Sequence, residues 1–136
     1  MIPYQTKLKK LPGTNLAEVY KNADKLFREI SRRTKRRPYV RSAYFKREKI
    51  FFDYYWNHLR HKPPNDRFKR LRYFGAAIDL IKNSRNKPIS KSNPNKVGEI
   101  VHRFGGLTAE KELFYVQIKE DKKRKRKFFM SCFPPG

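Results

Sequence analysis

The chain has 136 residues, of which 35 are Lys or Arg and 12 are Asp or Glu, so its formal net charge is +23 at pH 7. Hydrophobic residues make up 38% and aromatic residues 15% of the sequence, which excludes a disordered basic tail. The only cysteine, Cys132, excludes an internal disulfide and favours a reducing compartment. No apolar stretch is long enough to cross a membrane, and Met1 to Lys10 lack the apolar run of a secretory signal. We therefore expect a cytoplasmic protein with no membrane partner.

The charge excess indicates a polyanionic partner, because so many like charges repel one another and weaken the compact state unless something neutralises them. Lys and Arg side chains that neutralise phosphates release counterions, which favours association with nucleic acid. We expect nucleic acid as the partner, with RNA favoured over DNA. The length predicts a single domain over residues 1–136.

The first periodic segment predicts a helix that begins at Leu16, has apolar residues at helical spacing up to Ile30 and runs on into the cations from Arg32 to Arg37. Asn15 followed three residues later by Glu18 is typical of a helix N-terminal cap. The cations from Arg32 to Arg37 suit the negative end of the helix dipole, and Pro38 ends the helix.

The middle of the chain gives a mixed pattern. Residues 39–47 fit either a short strand or an extended connector. From Glu48 to Leu59 apolar residues recur at helical spacing, and although alternation within this segment also fits a strand, its length favours a second helix. Pro63-Pro64 then breaks the pattern, and Asn65 or Asp66 can cap a third helix.

After a loop rich in Asn, Ser, Pro and Lys, the hydrophobic period changes from 3.6 to 2 residues. Three strands are predicted, at Glu99 to Phe104, Glu112 to Lys119 and Lys127 to Phe133. The sequence thus predicts a helical half at 15–83, a loop at 84–98 and an antiparallel sheet at 99–134. The expected fold class is α+β, with three N-terminal helices packed on one face of a C-terminal three-stranded antiparallel sheet.

Alternation along these strands predicts which side chains share a face of the sheet. One set should face the helices: Phe114, Val116, Ile118, Phe128, Met130 and Cys132. The other should share the open face: Tyr115, Gln117, Lys119, Phe129, Ser131 and Phe133. His102 and Arg103 cannot face the same way in a regular strand, although a bulge near Gly105-Gly106 would allow it.

The three strands read E-I-V-H-R-F-G-G, F-Y-V-Q-I-K-E-D and K-F-F-M-S-C-F-P. Together with the preceding helices, they resemble the small-nuclease superfamily of barnase, EndoU, colicin-type tRNases and RelE-like toxins, including its phage-associated branch. The resemblance covers Glu99 to Pro135 well and the helical half in outline. It implies the fold and RNA cleavage without a metal, by sets of His, Lys, Arg, Ser, Thr and Tyr that differ among members. The long helical half departs from the RelE-like pattern and argues against a ribosome-dependent mode.

Metal-free RNA cleavage needs a base for the 2′-hydroxyl proton, an acid for the leaving oxygen and cations for the phosphorane. Residues of suitable type lie in the three strands, and the candidate catalytic residues are His102, Arg103, Lys119 and Ser131. Each also has a structural interpretation: a solvated or packed histidine, an ion-paired Arg or Lys, and a small serine beneath its neighbours. No metal or other cofactor is expected, because His58 and His61 lack accompanying ligands at suitable spacing.

Clusters of cations with interleaved aromatics predict a nucleic-acid-binding surface, since aromatic rings stack on unpaired bases while cations follow the backbone. The candidate binding residues are Arg36, Arg37, Tyr39, Arg41, Arg67, Arg70, Tyr115, Lys123 and Arg124. The last two belong to a run of six cations, Lys122 to Lys127, in the loop before the third strand.

The leading hypothesis from the sequence is a small, basic, metal-independent ribonuclease that acts on structured RNA. A toxin, or a phage or mobile-element protein, is the setting in which such an enzyme is expected, with an acidic immunity or antitoxin protein as a further partner. The alternative is a non-catalytic RNA- or DNA-binding protein, or a basic component of a ribonucleoprotein.

Overall fold

The computed structural model describes all 136 residues and contains four α-helices and one seven-stranded sheet. The strands are β1 (Tyr4–Gln5), β2 (Tyr39–Arg41), β3 (Lys49–Phe51), β4 (Ile89–Ser92), β5 (Glu99–Leu107), β6 (Leu113–Asp121) and β7 (Arg126–Phe133). The helices are α1 (Leu16–Arg32), α2 (Asp53–His58), α3 (Pro64–Leu71) and α4 (Phe74–Asn83), and a 3-10 turn at Leu59–His61 follows α2.

The sheet is mixed and curled into a half-barrel, with the strand order β1-β5-β6-β7-β3-β2 and with β4 also pairing with β5. Strands β4 to β7 pair with one another in antiparallel fashion, as β2 does with β3, whereas β1 pairs with β5 and β3 pairs with β7 in parallel. The expected fold, three helices on a three-stranded antiparallel sheet, is therefore wrong. Strands β1, β2 and β3 lie before or within the predicted helical half, and β4 lies in the predicted loop.

The first predicted helix is confirmed as α1. The side-chain oxygen of Asn15 accepts a hydrogen bond of 3.0 Å from the Glu18 amide, as the capping pattern indicated. Val19, Ala23 and Ile30 are buried along one face of the helix. The helix ends at Arg32, so the remaining cations up to Arg37 lie in the connection to β2.

The predicted second and third helices are wrong in extent. The start of the predicted second helix is strand β3, and only the six residues of α2 are helical. The third begins at Pro64, with Pro63 rather than Asn65 or Asp66 at the cap position. A break at Arg72 and Tyr73 separates α3 from α4. Helical periodicity survives such a break, so the pattern alone did not reveal it.

The helices and the concave face of the sheet enclose one hydrophobic core of 22 buried residues. Helix α4 is its most apolar helix, and the side chains of β6 and α4 pack so close to Gly106 of β5 that any larger residue there would have to displace them. A Cβ atom there would lie 2.5 Å from the Phe114 ring and 2.9 Å from a Leu80 methyl group. No helix in the structure is long and apolar enough to span a membrane.

The pairing of β6 with β7 contains a bulge that changes which side chains face the core. Gln117 pairs with Ser131, but Ile118 pairs with Phe129, so Met130 is an extra residue in β7. Phe129 consequently faces the core, where it is completely buried, and Phe128 faces outward. The predicted faces of Phe128 and Phe129 are thus reversed. The core-facing side of the sheet is called the inner face below, and the opposite side is called the outer face.

Candidate nucleic-acid interface

A row of side chains crosses the outer face from β2 to β6, and we call it the outer row. Register places Tyr39 opposite Phe51, Phe51 opposite Phe128, and Phe128 opposite Lys119. The ring centroids of successive aromatics are 6.2 and 6.1 Å apart. All four side chains are half-exposed, whereas their neighbours Val40, Ile50 and Phe129 are buried in the core. The alternation of strands β2, β3 and β7 therefore builds both the core and this row.

Arg37 lies over the middle of the outer row. Its guanidinium carbon is 4.5 Å from the centroid of Phe51 and 5.5 Å from that of Phe128. Asp53, the first residue of α2, holds the group through two hydrogen bonds of 2.9 and 3.0 Å. This bidentate pair fixes the plane of the guanidinium and offsets its charge. Arg37, a candidate binding residue, is therefore held by Asp53 with part of its charge offset.

Beside the outer row runs a groove of about 730 Å³ between α2, the loop before β5 and the β6–β7 hairpin. Six cationic side chains line it: Arg37, Lys96, Lys119, Lys123, Arg124 and Arg126. A second depression of about 480 Å³ continues from Arg37 and Arg126 along the connection between α1 and β2. It adds the cations Arg33, Lys35, Arg36 and Lys49, and it has no acidic residue in its lining.

The three carboxylates of the groove are already engaged. Asp53 holds Arg37, and the Glu99 carboxylate accepts one hydrogen bond from the Asn93 side chain and lies 3.5 Å from the Lys96 ammonium. Asp121 accepts hydrogen bonds from the amides of Lys123 and Arg124, and the bond from the Arg124 amide is the main cause of its lowered pKa. These carboxylates order the walls of the groove and leave its other cations unneutralised.

Lys119, Lys123 and Arg126 form no ion pair within the protein. The Lys119 ammonium is instead 4.4 Å from the Tyr54 ring centroid and 5.6 Å from that of Phe128. Only seven of the 35 Lys and Arg side chains are in ion pairs, so 28 have no carboxylate partner. The net charge is thus not compensated internally, and seven of the 28 unpaired cations line the groove or the depression.

The structure brings several of the candidate binding residues together here. Arg36, Arg37, Tyr39, Lys123 and Arg124 all line the groove or the depression. Arg41 lies at the edge of the same surface, with its guanidinium carbon 5.5 Å from the Tyr39 centroid. The remaining three, Arg67, Arg70 and Tyr115, do not line it.

His102, the central candidate for catalysis, lies on the inner face with 8% of its surface exposed. Its Nε2 is 2.8 Å from a Glu120 carboxylate oxygen, and its Nδ1 is 2.6 Å from the Ser90 hydroxyl. The Phe45 ring packs against it with a centroid distance of 5.0 Å. Both ring nitrogens are therefore occupied, and the imidazole points away from the groove.

His102 belongs to a chain of polar contacts that closes one end of the half-barrel. Lys127 donates a hydrogen bond of 2.6 Å to Glu48, and its ammonium is 3.9 Å from Glu120. It also lies 4.8 Å from the centroid of Phe45, which the loop between β2 and β3 supplies. Lys127 thus differs from the other cations of the run Lys122 to Lys127, because its side chain is buried and contacts two carboxylates.

Arg103 and Ser131 lie on the outer face in a second cluster, two residues further along the strands from Lys119. With the Gln117 amide turned so that its oxygen faces Arg103, the Arg103 guanidinium donates bonds of 3.0 and 3.3 Å to that oxygen. It also lies 5.5 Å from the centroids of both Tyr115 and Phe133. These contacts fasten Arg103 to the sheet and place Tyr115, a candidate binding residue, beside it.

Arg70 covers Ser131 from α3 and donates a hydrogen bond of 2.8 Å to its hydroxyl. The carbonyl of Arg70 accepts a bond from the Cys132 thiol, whose burial raises its pKa to about 12. Tyr55 is buried beside that thiol, and burial likewise raises its pKa, while its hydroxyl has no hydrogen-bond partner. Ser131 therefore lies under a fixed arginine, and Cys132 is a core residue.

The four candidate catalytic residues do not converge on one point. Arg103, Lys119 and Ser131 share the outer face, whereas His102 lies on the inner face. The register of β5 with β6 explains the separation, because no bulge interrupts the alternation between His102 and Arg103. The catalytic role of these residues stays a prediction.

A different histidine, His58, lines the groove. Its Nδ1 is 2.8 Å from the Tyr54 carbonyl, and its ring stacks on that of Tyr54 with a centroid distance of 4.3 Å. Since a carbonyl only accepts, Nδ1 must carry the hydrogen, and in the neutral ring the lone pair lies on Nε2. Sequence reasoning considered His58 only as half of a metal pair.

Three further groove residues, Phe51, Phe128 and Arg126, were also not among the candidates. The prediction of one helix over Glu48 to Leu59 concealed Phe51, and Phe128 was expected in the core. The signal that would have identified Phe51 is the alternation within that segment, which fitted a strand. No protein-family model, curated protein or solved structure matches the chain.

Proposed function

We propose that the protein binds nucleic acid in the groove and along the outer row. The observation that carries this proposal is the set of unpaired cations, Lys119, Lys123 and Arg126, around a concave surface whose own carboxylates are engaged. Cations held unpaired in a concavity raise the local potential for an anion. Phosphates that enter would release counterions, and no carboxylate of the wall would compete with them.

The size of the surface suits a polyanion better than a small anionic ligand. The groove and the depression share Arg37 and Arg126, so together they form one continuous cationic path. It runs from the β6–β7 hairpin to the end of α1. A path with many separate cations binds a chain of phosphates, whereas a single phosphate group would use only a few of them.

Purified protein should bind RNA and DNA oligonucleotides of about 12 nucleotides with an affinity that falls steeply between about 50 and 200 mM salt. Fluorescence anisotropy titrations at several salt concentrations give the slope of log affinity against log salt. A slope corresponding to several phosphate contacts supports the proposal. No binding to oligonucleotides, or binding only to anionic lipid vesicles, would reject nucleic acid as the partner.

Cleavage of RNA is a second candidate function, and the geometry of His58 favours it. Neutral His58 offers its Nε2 lone pair within a groove that also contains Lys119. Nε2 would take the proton of a 2′-hydroxyl, whose oxygen forms a bond to the adjacent phosphorus as the bond to the 5′ oxygen breaks. The Lys119 ammonium would return a proton to that 5′ oxygen, leaving a 2′,3′-cyclic phosphate and a 5′-hydroxyl. DNA, which lacks the 2′-hydroxyl, would be bound and left intact.

The His58→Ala variant should lose RNA cleavage by a factor of about 100 or more while retaining oligonucleotide binding, because it removes the base and no phosphate contact. Cleavage is measured on labelled RNA in the presence of EDTA, with labelled DNA as the negative substrate. His61→Ala is the matched control, since His61 is exposed nearby and does not line the groove. If a folded His102→Ala variant loses cleavage and His58→Ala keeps it, the result would instead support the catalytic role predicted for His102. Intact RNA with the wild-type protein would leave binding as the function.

A further inference from the structure

We infer that the outer row is a stacking surface for unpaired bases, so that the site selects single-stranded over double-stranded nucleic acid. This inference rests on the proposed function and adds the class of substrate. Its starting point is that Tyr39, Phe51 and Phe128 belong neither to the core nor to the set of side chains packed against it. These three adjacent aromatic side chains are thus half-exposed and do not pack in the hydrophobic core.

Cations, and no apolar layer, cover these rings. The Lys49 ammonium lies 4.7 Å from the Tyr39 centroid, and the Arg37 guanidinium lies over Phe51 and Phe128. Contacts of this kind keep apolar rings half-exposed without exposing a bare hydrophobic patch. They also present flat surfaces, because bases stack on arginine planes as well as on aromatic rings.

The contact with Asp53 favours a stacking role for Arg37 over a phosphate-binding role. Two hydrogen bonds to one carboxylate hold the guanidinium over Phe51 and Phe128 and offset its charge. A guanidinium that binds phosphate needs free N–H donors. Arg126 meets this condition, because it has no carboxylate partner. The platform of Arg37 and Phe51 is therefore fixed in place before any ligand arrives.

The surface offers separate contacts to the phosphate and to the base of a nucleotide. Unpaired cations line the groove and the depression, while the flat groups lie in a row where the two meet. A backbone that follows the cations places its bases over the row. The ring centroids are 6.2 and 6.1 Å apart, so a few consecutive bases would each stack on a separate flat group, either an aromatic ring or the Arg37 guanidinium over Phe51 and Phe128. Bases in a duplex are paired and stacked on one another, so their faces cannot reach such a row.

Replacing both Phe51 and Phe128 by Leu keeps apolar side chains at these positions and removes their aromatic faces. We expect the affinity for a single-stranded oligonucleotide of about 12 nucleotides to fall about tenfold or more. The affinity for a duplex of the same sequence should change less than about twofold, and the salt slope should stay the same, because no phosphate contact is lost. The wild-type protein should prefer the single strand, and ultraviolet irradiation should crosslink it to Tyr39, Phe51 or Phe128.

The matched control is Tyr115→Leu with Phe133→Leu, a cross-strand aromatic pair on the same face that does not line the groove. It should leave binding to single strands nearly unchanged. The thermal unfolding midpoint of each variant establishes that it is folded. Equal losses for single strand and duplex, no loss for either, or a larger loss in the control would overturn the inference. Salt-dependent binding of the wild-type protein would still stand in those cases, so the proposed function is tested separately.

Discussion

Replacing Phe129 by Ala should lower the free energy of unfolding by about 3–5 kcal/mol, which is the range for removing a large aromatic side chain from a well-packed core. The ring is completely buried. It stacks on Phe52 at a centroid distance of 4.8 Å and meets Tyr55 at 4.6 Å and Phe74 at 6.2 Å. Phe129 therefore joins β7 to α2, α4 and the residue after β3, and its loss leaves a cavity where these elements meet.

The matched variant is Phe128→Ala, one residue earlier in the same strand. Phe128 is half-exposed on the outer face, so we expect a loss of about 1 kcal/mol or less. Chemical denaturation followed by circular dichroism measures both values from the midpoint and slope of the transition. A larger loss for Phe128 than for Phe129 would contradict the position of the bulge at Met130, because a regular strand would exchange the two faces.

The same bulge limited how well the faces of the strands could be predicted from the sequence. Alternation placed Phe114, Val116 and Ile118 of β6 in the core, and the structure confirms all three. The same alternation continued through β7 reversed Phe128 and Phe129, because one extra residue shifts the phase of every side chain before it. Nothing in the sequence K-F-F-M-S-C-F marks Met130 as that residue, since each side of the strand is equally apolar.

Non-local pairing limited the prediction of the fold in a second way. Helix α1 was predicted well because its cap and its periodicity are local features. Strand β3 has only three residues, and its formation depends on the parallel pairing of Ile50 with Lys127, far away in the sequence. A short aromatic-rich segment fits a helix or a strand equally until its partner is known. The outer row depends on this pairing, and so the row was not predicted as a unit.

The candidate site was predicted best where charge alone defined it. The clusters at Arg36 to Arg41 and at Lys123 and Arg124 were expected to bind nucleic acid, and the structure places both on one surface. Within the run Lys122 to Lys127, however, adjacent residues differ: Arg126 faces the groove, and Lys127 is buried and contacts the carboxylates of Glu48 and Glu120. Strand alternation, and not composition, decides which cations remain available.

The double replacement of Lys119 and Arg126 by Glu should weaken binding to a single-stranded oligonucleotide by about ten- to a hundredfold at a moderate salt concentration of about 100 mM. Both residues line the groove without an ion pair, so each is expected to contact a phosphate. Losing two contacts should also reduce the slope of log affinity against log salt by about 1.4 for a single strand. The slope is more informative than the affinity, because it reports the number of phosphate contacts. A general loss of stability lowers the apparent affinity without changing that number.

The matched control is the double replacement of Lys21 and Lys25 by Glu on the exposed surface of α1. It makes the same change in formal charge, from +23 to +19, at residues that line neither the groove nor the depression. If binding used only the overall charge, both double variants would weaken it equally. If the groove is the site, the control should lose less than about threefold and should keep the slope of the wild-type protein, because long-range attraction between exposed charges is largely screened at moderate salt. Equal losses would reject the groove and leave only non-specific attraction.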